Sequence, residues 1–246
     1  MLSRLALSLF SVLGLCSCSS VGIYSLENRS AAPVQAPSRI LVEPFSAPLS
    51  AFQLGERTAR EKSVQRDEIV QNLARSTASQ IRTHAADSAV LRSSQQVVPG
   101  AWIVRGQITR VDQGSRALRA GIGLGMGRTE MRTRVSFYRV TTSGLAPLIR
   151  FNTTGTSGLE PGAALGLATG GVGTAMTVAN AGVRSLPGVS TDIDRTSYEI
   201  AAVLSVYLER HGLLGRSRQA IHPRMKGQLP TMINLDRAIP APLRTN

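Results

Sequence analysis

The chain has 246 residues, with 28 Lys and Arg against 15 Asp and Glu, a formal charge of +13, and two cysteines. This length can bury a substantial core in one large domain or two small ones, and two cysteines rule out a scaffold built on disulfides. The charge excess favours anionic partners, but one Trp, four Tyr and five Phe offer little surface on which bases could stack, which argues against nucleic acid, and most of the charge reads as a solvated surface.

The first residues carry an address. Met1 to Arg4 supplies a positive charge, Leu5 to Leu15 is apolar, and Leu15-Cys16-Ser17-Cys18 closes the run with small residues, the three-part layout of a secretory signal. The polar residues from Ser17 to Ser20 stop the run well short of the roughly 20 apolar residues that cross about 30 Å of hydrocarbon. The four residues read as a lipobox with Cys18 as the acylated residue. Cutting before Cys16 would need the bulky Leu15 in the small pocket, whereas Cys18 is preceded by Ser17. The alternative is an ordinary signal cleaved elsewhere, with both cysteines incidental. Cleavage before Cys18 removes Cys16, so lipid occupies the one remaining sulfur and membrane attachment runs through that anchor. Ser19, where lipoproteins retained in the inner membrane usually carry Asp, directs the protein to the periplasmic side of the outer membrane by resemblance to known sorting behaviour.

Residues 1–17 are thus a signal peptide, and residues 18–38, which lack an apolar period and contain Pro33 and Pro37, are expected to form a flexible tether. Residues 39–214 are expected to form a single α/β or α+β domain. Arg39 to Phe45 predicts a strand buried on both faces and closed by Pro44. From Glu61 to His84, Ile69, Leu73, Thr77 and Ile81 recur every four residues with Val70 and Ala74 beside them, and Arg66, Arg75 and Arg82 lie opposite, which predicts a long helix. After Gly100, Trp102, Val104 and Ile108 alternate with Arg105, Gln107 and Thr109, predicting a half-buried strand. A second strand, Thr129 to Val140, alternates Met131, Thr133, Val135 and Phe137 with Arg132, Arg134, Ser136 and Tyr138, and should pair with the first. Leu148 to Thr156 is a weaker third strand. A terminal helix is predicted from Thr191, capped toward Asp194, with Ile200, Val203, Leu204, Tyr207 and Leu208 in a stripe and Gly212 as its stop. Residues 215–246, with prolines at 223, 230, 240 and 242, are expected to be a mostly disordered basic tail.

The order of strand, long helix and Trp102-led strand running into Gly106, then Gly-Ser-Arg-Ala-Leu-Arg at 114–119 and Gly-Ile-Gly-Leu-Gly at 121–125, resembles an uncharacterised family of proteobacterial lipoproteins, the 4410 domain-of-unknown-function family. The resemblance covers about residues 39–214 and brings no reaction with it. More distantly the layout is similar to the α/β domain of curli-secretion channel lipoproteins and the amino-terminal domain of TolB, which implies envelope scaffolding rather than catalysis.

Two glycine features compete for meaning. Gly121, Gly123, Gly125 and Gly127 do not have the spacing of a dinucleotide fingerprint and no phosphate-loop lysine follows, so a close-packed hairpin or bulge is the better reading. Gly162, Gly166 and Gly170 sit four apart in the charge-free stretch 161–183, a spacing that in a helix lets two backbones approach. That stretch is open to three readings: an internal helix pair or loop, a self-association surface, and a segment that inserts transiently in membrane.

No metal or catalytic centre is legible. His84, His211 and His222 are the only histidines and none has a cysteine or carboxylate at ligand spacing. Asp192 and Asp194 read as first-turn charges of the terminal helix. The sequence therefore predicts no cofactor and a non-enzymatic lipoprotein of the envelope that acts as an accessory or scaffolding factor on protein or on anionic lipid or polysaccharide. A self-assembling channel-type component using the glycine-spaced segment as a homo-oligomer interface is the alternative, and an envelope hydrolase the remote one.

Overall fold

The structure is a computed structural model, and it describes residues 22–29, 35–55, 57–114, 129–157 and 189–224. Seven strands form an open mixed sheet: β1 (Gly22–Asn28), β2 (Ile40–Val42), β3 (Phe52–Gln53), β4 (Ser88–Val90), β5 (Trp102–Asp112), β6 (Thr129–Thr141) and β7 (Gly144–Ser157). Their order across the sheet is β1-β7-β6-β5-β2-β4, with β3 also on β5. Two long helices, α1 (Ala59–His84) and α2 (Val189–Arg210), pack on one face, and a 3-10 turn spans Leu49–Ala51.

Strands β5, β6 and β7 form an antiparallel meander, and the alternation read from sequence sets its two faces. Trp102, Val104 and Ile108 on β5, Met131, Val135 and Phe137 on β6, and Ile149 and Phe151 on β7 all enter the core under the helices. Bulges at 108/110 and at 137/138 keep that alternation in step across the bends. Within the core Trp102 meets Tyr207 edge-on at 5.9 Å and Phe137 meets Phe151 at 5.5 Å, geometry that suits the ring quadrupoles. Two buried polar pairs are satisfied locally, Thr133 with Thr153 across β6 and β7 (2.8 Å) and Thr77 with Ser197 between the helices (3.2 Å).

Beside this meander the chain from β2 to β3 lies parallel to β5. Backbone bonds from Glu43 N–H to the Val104 carbonyl, from Ser46 N–H to Gly106 and from Ile108 N–H to Ser46 carry the pairing past Pro44. Phe45 drops into the core at Gly106, the one strand position where a side chain would have met its ring.

Helix α1 starts at Thr58 with a capping box: the Glu61 N–H donates to the Thr58 hydroxyl (3.3 Å) and the Thr58 N–H to the Glu61 carboxylate (2.8 Å). Its expected stripe is the buried one, joined by Asn72, Ser76 and Ala78. Helix α2 differs from a one-striped helix, for every residue from Glu199 to Leu208 is buried. It starts at Val189, so Thr191 lies in the first turn rather than at the cap. It ends in a Schellman turn, with Gly212 in the left-handed region, Leu213 N–H on the Leu208 carbonyl and Gly212 N–H on Glu209.

Two further expectations are corrected. Residues 22–28, assigned to the tether, form edge strand β1, antiparallel to β7 from Gly22 opposite Thr154 to Asn28 opposite Ile149. The segment had no apolar period because an edge strand with a bulge between Tyr24 and Glu27 buries little beyond Ile23. The tail, placed at 215–246 and expected to be disordered, is docked as far as Arg224: it runs back along α2, with Ile221 bonded to the buried Ser205 hydroxyl (3.1 Å), Ala220 buried and the Arg218 guanidinium on the carbonyls of Ala85 and Arg82. This returning segment is what covers the outer side of α2. Residues 225–246 lie outside the described residues.

Candidate functional site

The sequence-predicted sites fall beyond what is described, but their attachment points are not scattered. Cys18, the glycines of 121–127, and Gly162, Gly166 and Gly170 all lie outside the described residues. The flanks of these segments share one end of the sheet. Gly22 sits opposite Thr154, Asp112 opposite Glu130 just before the chain leaves at Gly114, and Thr129 opposite Ser157. The start of α2 is tied there too, because the Thr129 hydroxyl donates to the Asp192 carboxylate (2.6 Å). So is Arg224, whose carbonyl accepts the Ile23 N–H (2.8 Å). The start of α1 completes this end, with Arg57 donating to the Gln113 side chain (2.8 Å).

Three of the carboxylates on α2 have structural work there. Asp192 is fully buried against Thr129. Asp194 accepts from Ser76 (3.1 Å), and burial raises its pKa against the lowering effect of that hydroxyl. Glu199, unremarked in the sequence reading, is 2% exposed and accepts the Arg224 N–H (2.7 Å), with the Arg224 guanidinium 3.8 Å away. Burial pushes its carboxyl up to about 7, opposed by the Arg224 N–H and guanidinium. A sequence signal existed: Glu199 is the only acid between Asp194 and Glu209, in the middle of an apolar run.

The histidines are not brought together. His84 ends α1 against the edge of Tyr198 (5.7 Å) and His211 follows α2 against Tyr207 (4.5 Å), and burial lowers the pKa of both. Among the described residues no group of three or more His, Cys, Asp or Glu could hold a metal ion.

The sheet face turned away from the helices holds a small apolar cluster of Ala101, Ile103 and Val140 at one end and carries arginines in cross-strand rows along the rest. Arg105, Ser136 and Arg150 are opposite one another on β5, β6 and β7, and next to them run Gln107, Arg134, Asn152 and Tyr24 on β5, β6, β7 and β1. A third row sets Arg110 opposite Arg132. Arg105 is held by Glu43 through two bonds (2.6 and 2.8 Å), which raises its pKa, and its guanidinium lies 5.6 Å from the Tyr138 ring centroid. Arg110 and Arg132 share Glu130 at 3.1 and 2.7 Å.

Comparison with known proteins gives one family. The profile of the family described as "Domain of unknown function (DUF4410)" matches residues 28–174, more than half of the chain. No curated protein matches. Among solved structures, the PelC dodecamer from Paraburkholderia phytofirmans is 11% identical with a TM-score of 0.35, over 55% of this chain and 83% of that one. A single-residue variant of the same dodecamer is 10% identical with a TM-score of 0.40, over 74% and 97%. The hypothetical protein CT253 from Chlamydia trachomatis is 9% identical with a TM-score of 0.32, over 50% and 74%. At TM-scores below 0.5 none of these carries assembly or activity over to this chain.

Proposed function

The chain belongs to the DUF4410 family, whose name assigns no reaction, and from that premise we propose that it is a non-enzymatic accessory lipoprotein of the bacterial envelope. Lipid on Cys18 holds it to the periplasmic face of the outer membrane, where it engages other envelope components. The observation that carries this reading is the position of Gly22 at the start of the sheet. Only residues 19–21 separate Cys18 from that strand, a reach of about 14 Å even when fully extended. An acylated Cys18 therefore keeps this end of the fold at the headgroup surface rather than on a long tether. Among the described residues no helix is long and apolar enough to cross a membrane.

A second reading is a self-assembling channel-type component built on Gly162, Gly166 and Gly170. It is favoured by the ends of that segment, Ser157 and Val189, which flank the same end of the sheet as Gly22. Metabolic labelling with palmitate tests the main reading: Cys18→Ser loses the label and Cys16→Ser keeps it, and a Cys18→Ser protein that still carries lipid overturns it. Detergent-solubilised mass and planar-bilayer conductance separate the two readings, since a monomer without conductance removes the channel.

A further inference from the structure

The arginine rows on the open sheet face are not equally neutralised, and the contrast is internal to the structure. Arg110 and Arg132 lie directly opposite each other, an arrangement that like charges disfavour, and Glu130 is placed between them to bridge both. Arg134 and Arg150 lie diagonally on β6 and β7, about 7 Å apart at their origins, since Arg134 is opposite Asn152 and Arg150 opposite Ser136. Among the described residues no carboxylate bridges this second pair. Arg134 is exposed and bonds no described side chain. Arg150 makes a long bond to the Ser136 hydroxyl (3.4 Å), and Glu27, its opposite number on β1, is bonded to Arg29 and feels the Arg150 charge only as a weaker, longer-range attraction.

Around these two arginines the face offers neutral hydrogen-bonding groups rather than more charge. Gln107, Asn152 and Tyr24 continue the Arg134 row across four strands, a line of about 14 Å at the usual strand spacing, and none of the three side chains bonds another described side chain. Free amides and a phenol beside two guanidiniums match a ligand that is mostly hydroxyl with carboxylates at intervals. A polyphosphate or an anionic bilayer rewards dense charge, which the neighbouring Glu43, Glu130, Asp112 and Glu27 dilute.

We propose that the open face of the sheet, centred on Arg134 and Arg150 with Gln107, Asn152 and Tyr24 beside them, binds a carboxylate-bearing polysaccharide. The guanidiniums take the carboxylates in paired N–H···O bonds, and the amide and phenol row takes the sugar hydroxyls. The envelope placement proposed above enters only in the choice of ligand, and palmitate labelling tests that placement separately.

The experiment measures binding of polygalacturonate oligomers to the detergent-solubilised full-length chain, with neutral dextran, inorganic polyphosphate and anionic phosphatidylglycerol vesicles as comparison probes. Polygalacturonate binds, dextran does not, and the double variant Arg134→Gln/Arg150→Gln weakens binding about tenfold or more. Arg92→Gln, an equal change of charge per site on the loop after β4, stays within about twofold, and Asn152→Ala weakens binding without altering its salt dependence. The proposal is overturned by absence of polygalacturonate binding, by equal losses in Arg92→Gln and Arg134→Gln, or by stronger binding to polyphosphate or vesicles than to the glycan. Failure of binding in a chain that still incorporates palmitate removes the glycan surface and leaves the lipoprotein reading standing.

Discussion

Replacing Gly106 by alanine puts a methyl group where the Phe45 ring already lies. A Cβ built on Gly106 falls 2.1 and 2.2 Å from two ring carbons and 2.8 Å from a third, against the 3.5–4.0 Å at which carbon atoms normally touch. The ring is 2% exposed and enclosed by the core, so it cannot slide aside by the missing distance. Two outcomes bound the loss. If the ring stays and the β2–β3 connection is pushed off β5, overpacking costs about 1–3 kcal/mol. If the ring is expelled, the loss approaches the about 3–5 kcal/mol of deleting a buried phenylalanine. We expect about 3 kcal/mol, which for a chain of this size lowers the melting temperature by about 6–12 °C. Trp102, the only tryptophan and fully buried, reports unfolding by fluorescence in a denaturant titration. Phe45→Ala should cost about 3–5 kcal/mol alone, and adding Gly106→Ala should change that by less than about 1 kcal/mol, because the methyl then enters the space the ring vacates. A Gly106→Ala loss below about 1 kcal/mol, or a double variant equal to the sum of the singles, refutes the steric argument.

Two other perturbations follow from the returning segment and the carboxylate beneath it. Glu199 holds its proton to about pH 7 in the folded chain and releases it near the ordinary carboxylate value of about 4.5 when unfolded. Between those values the folded state binds the extra proton, so stability falls as pH rises from about 4.5 to 7, by a few kcal/mol in total. Glu199→Gln, which can still accept the Arg224 N–H, should match the wild type at pH 5 and exceed it at pH 8; denaturation midpoints that shift equally for both proteins between those pH values would count against a buried, protonated Glu199. Ser205→Ala leaves the half-buried Ile221 N–H without its acceptor, a loss of about 0.5–1.5 kcal/mol. Trypsin should then cut faster at Arg216 and Arg218, and an unchanged rate would mean that the segment is held by other contacts.

The helices and the β5–β6 pair are legible in the sequence because their signals are local. Ile69, Leu73, Thr77 and Ile81 declare α1, and the alternation from Met131 to Phe137 declares β6, each through neighbours two or four residues away. Strands β3 and β4, two and three residues long, are too short to show a period. Strand β1 escaped for a related reason, since an edge strand with one bulged turn needs few apolar residues. The candidate face was half visible: Arg132 and Arg134 stand out as the polar members of an alternating strand, but nothing local separates them. Which arginine is neutralised depends on register, which places Glu130 between Arg110 and Arg132 and leaves Arg134 diagonal to Arg150.

By itself the sequence determined the two helices and the polarity of the β5 and β6 faces, because every one of these is a pattern within a few residues of chain. Only the tertiary structure decided that Glu199 is buried, that the tail is docked to Arg224 and that Gly22, Gly114, Thr129, Ser157 and Val189 lie at one end of the sheet. Each of those depends on groups far apart in sequence. Glu199 is covered by Arg224, Gly22 is set against Thr154, and Thr129 reaches Asp192, and no periodicity records such pairs.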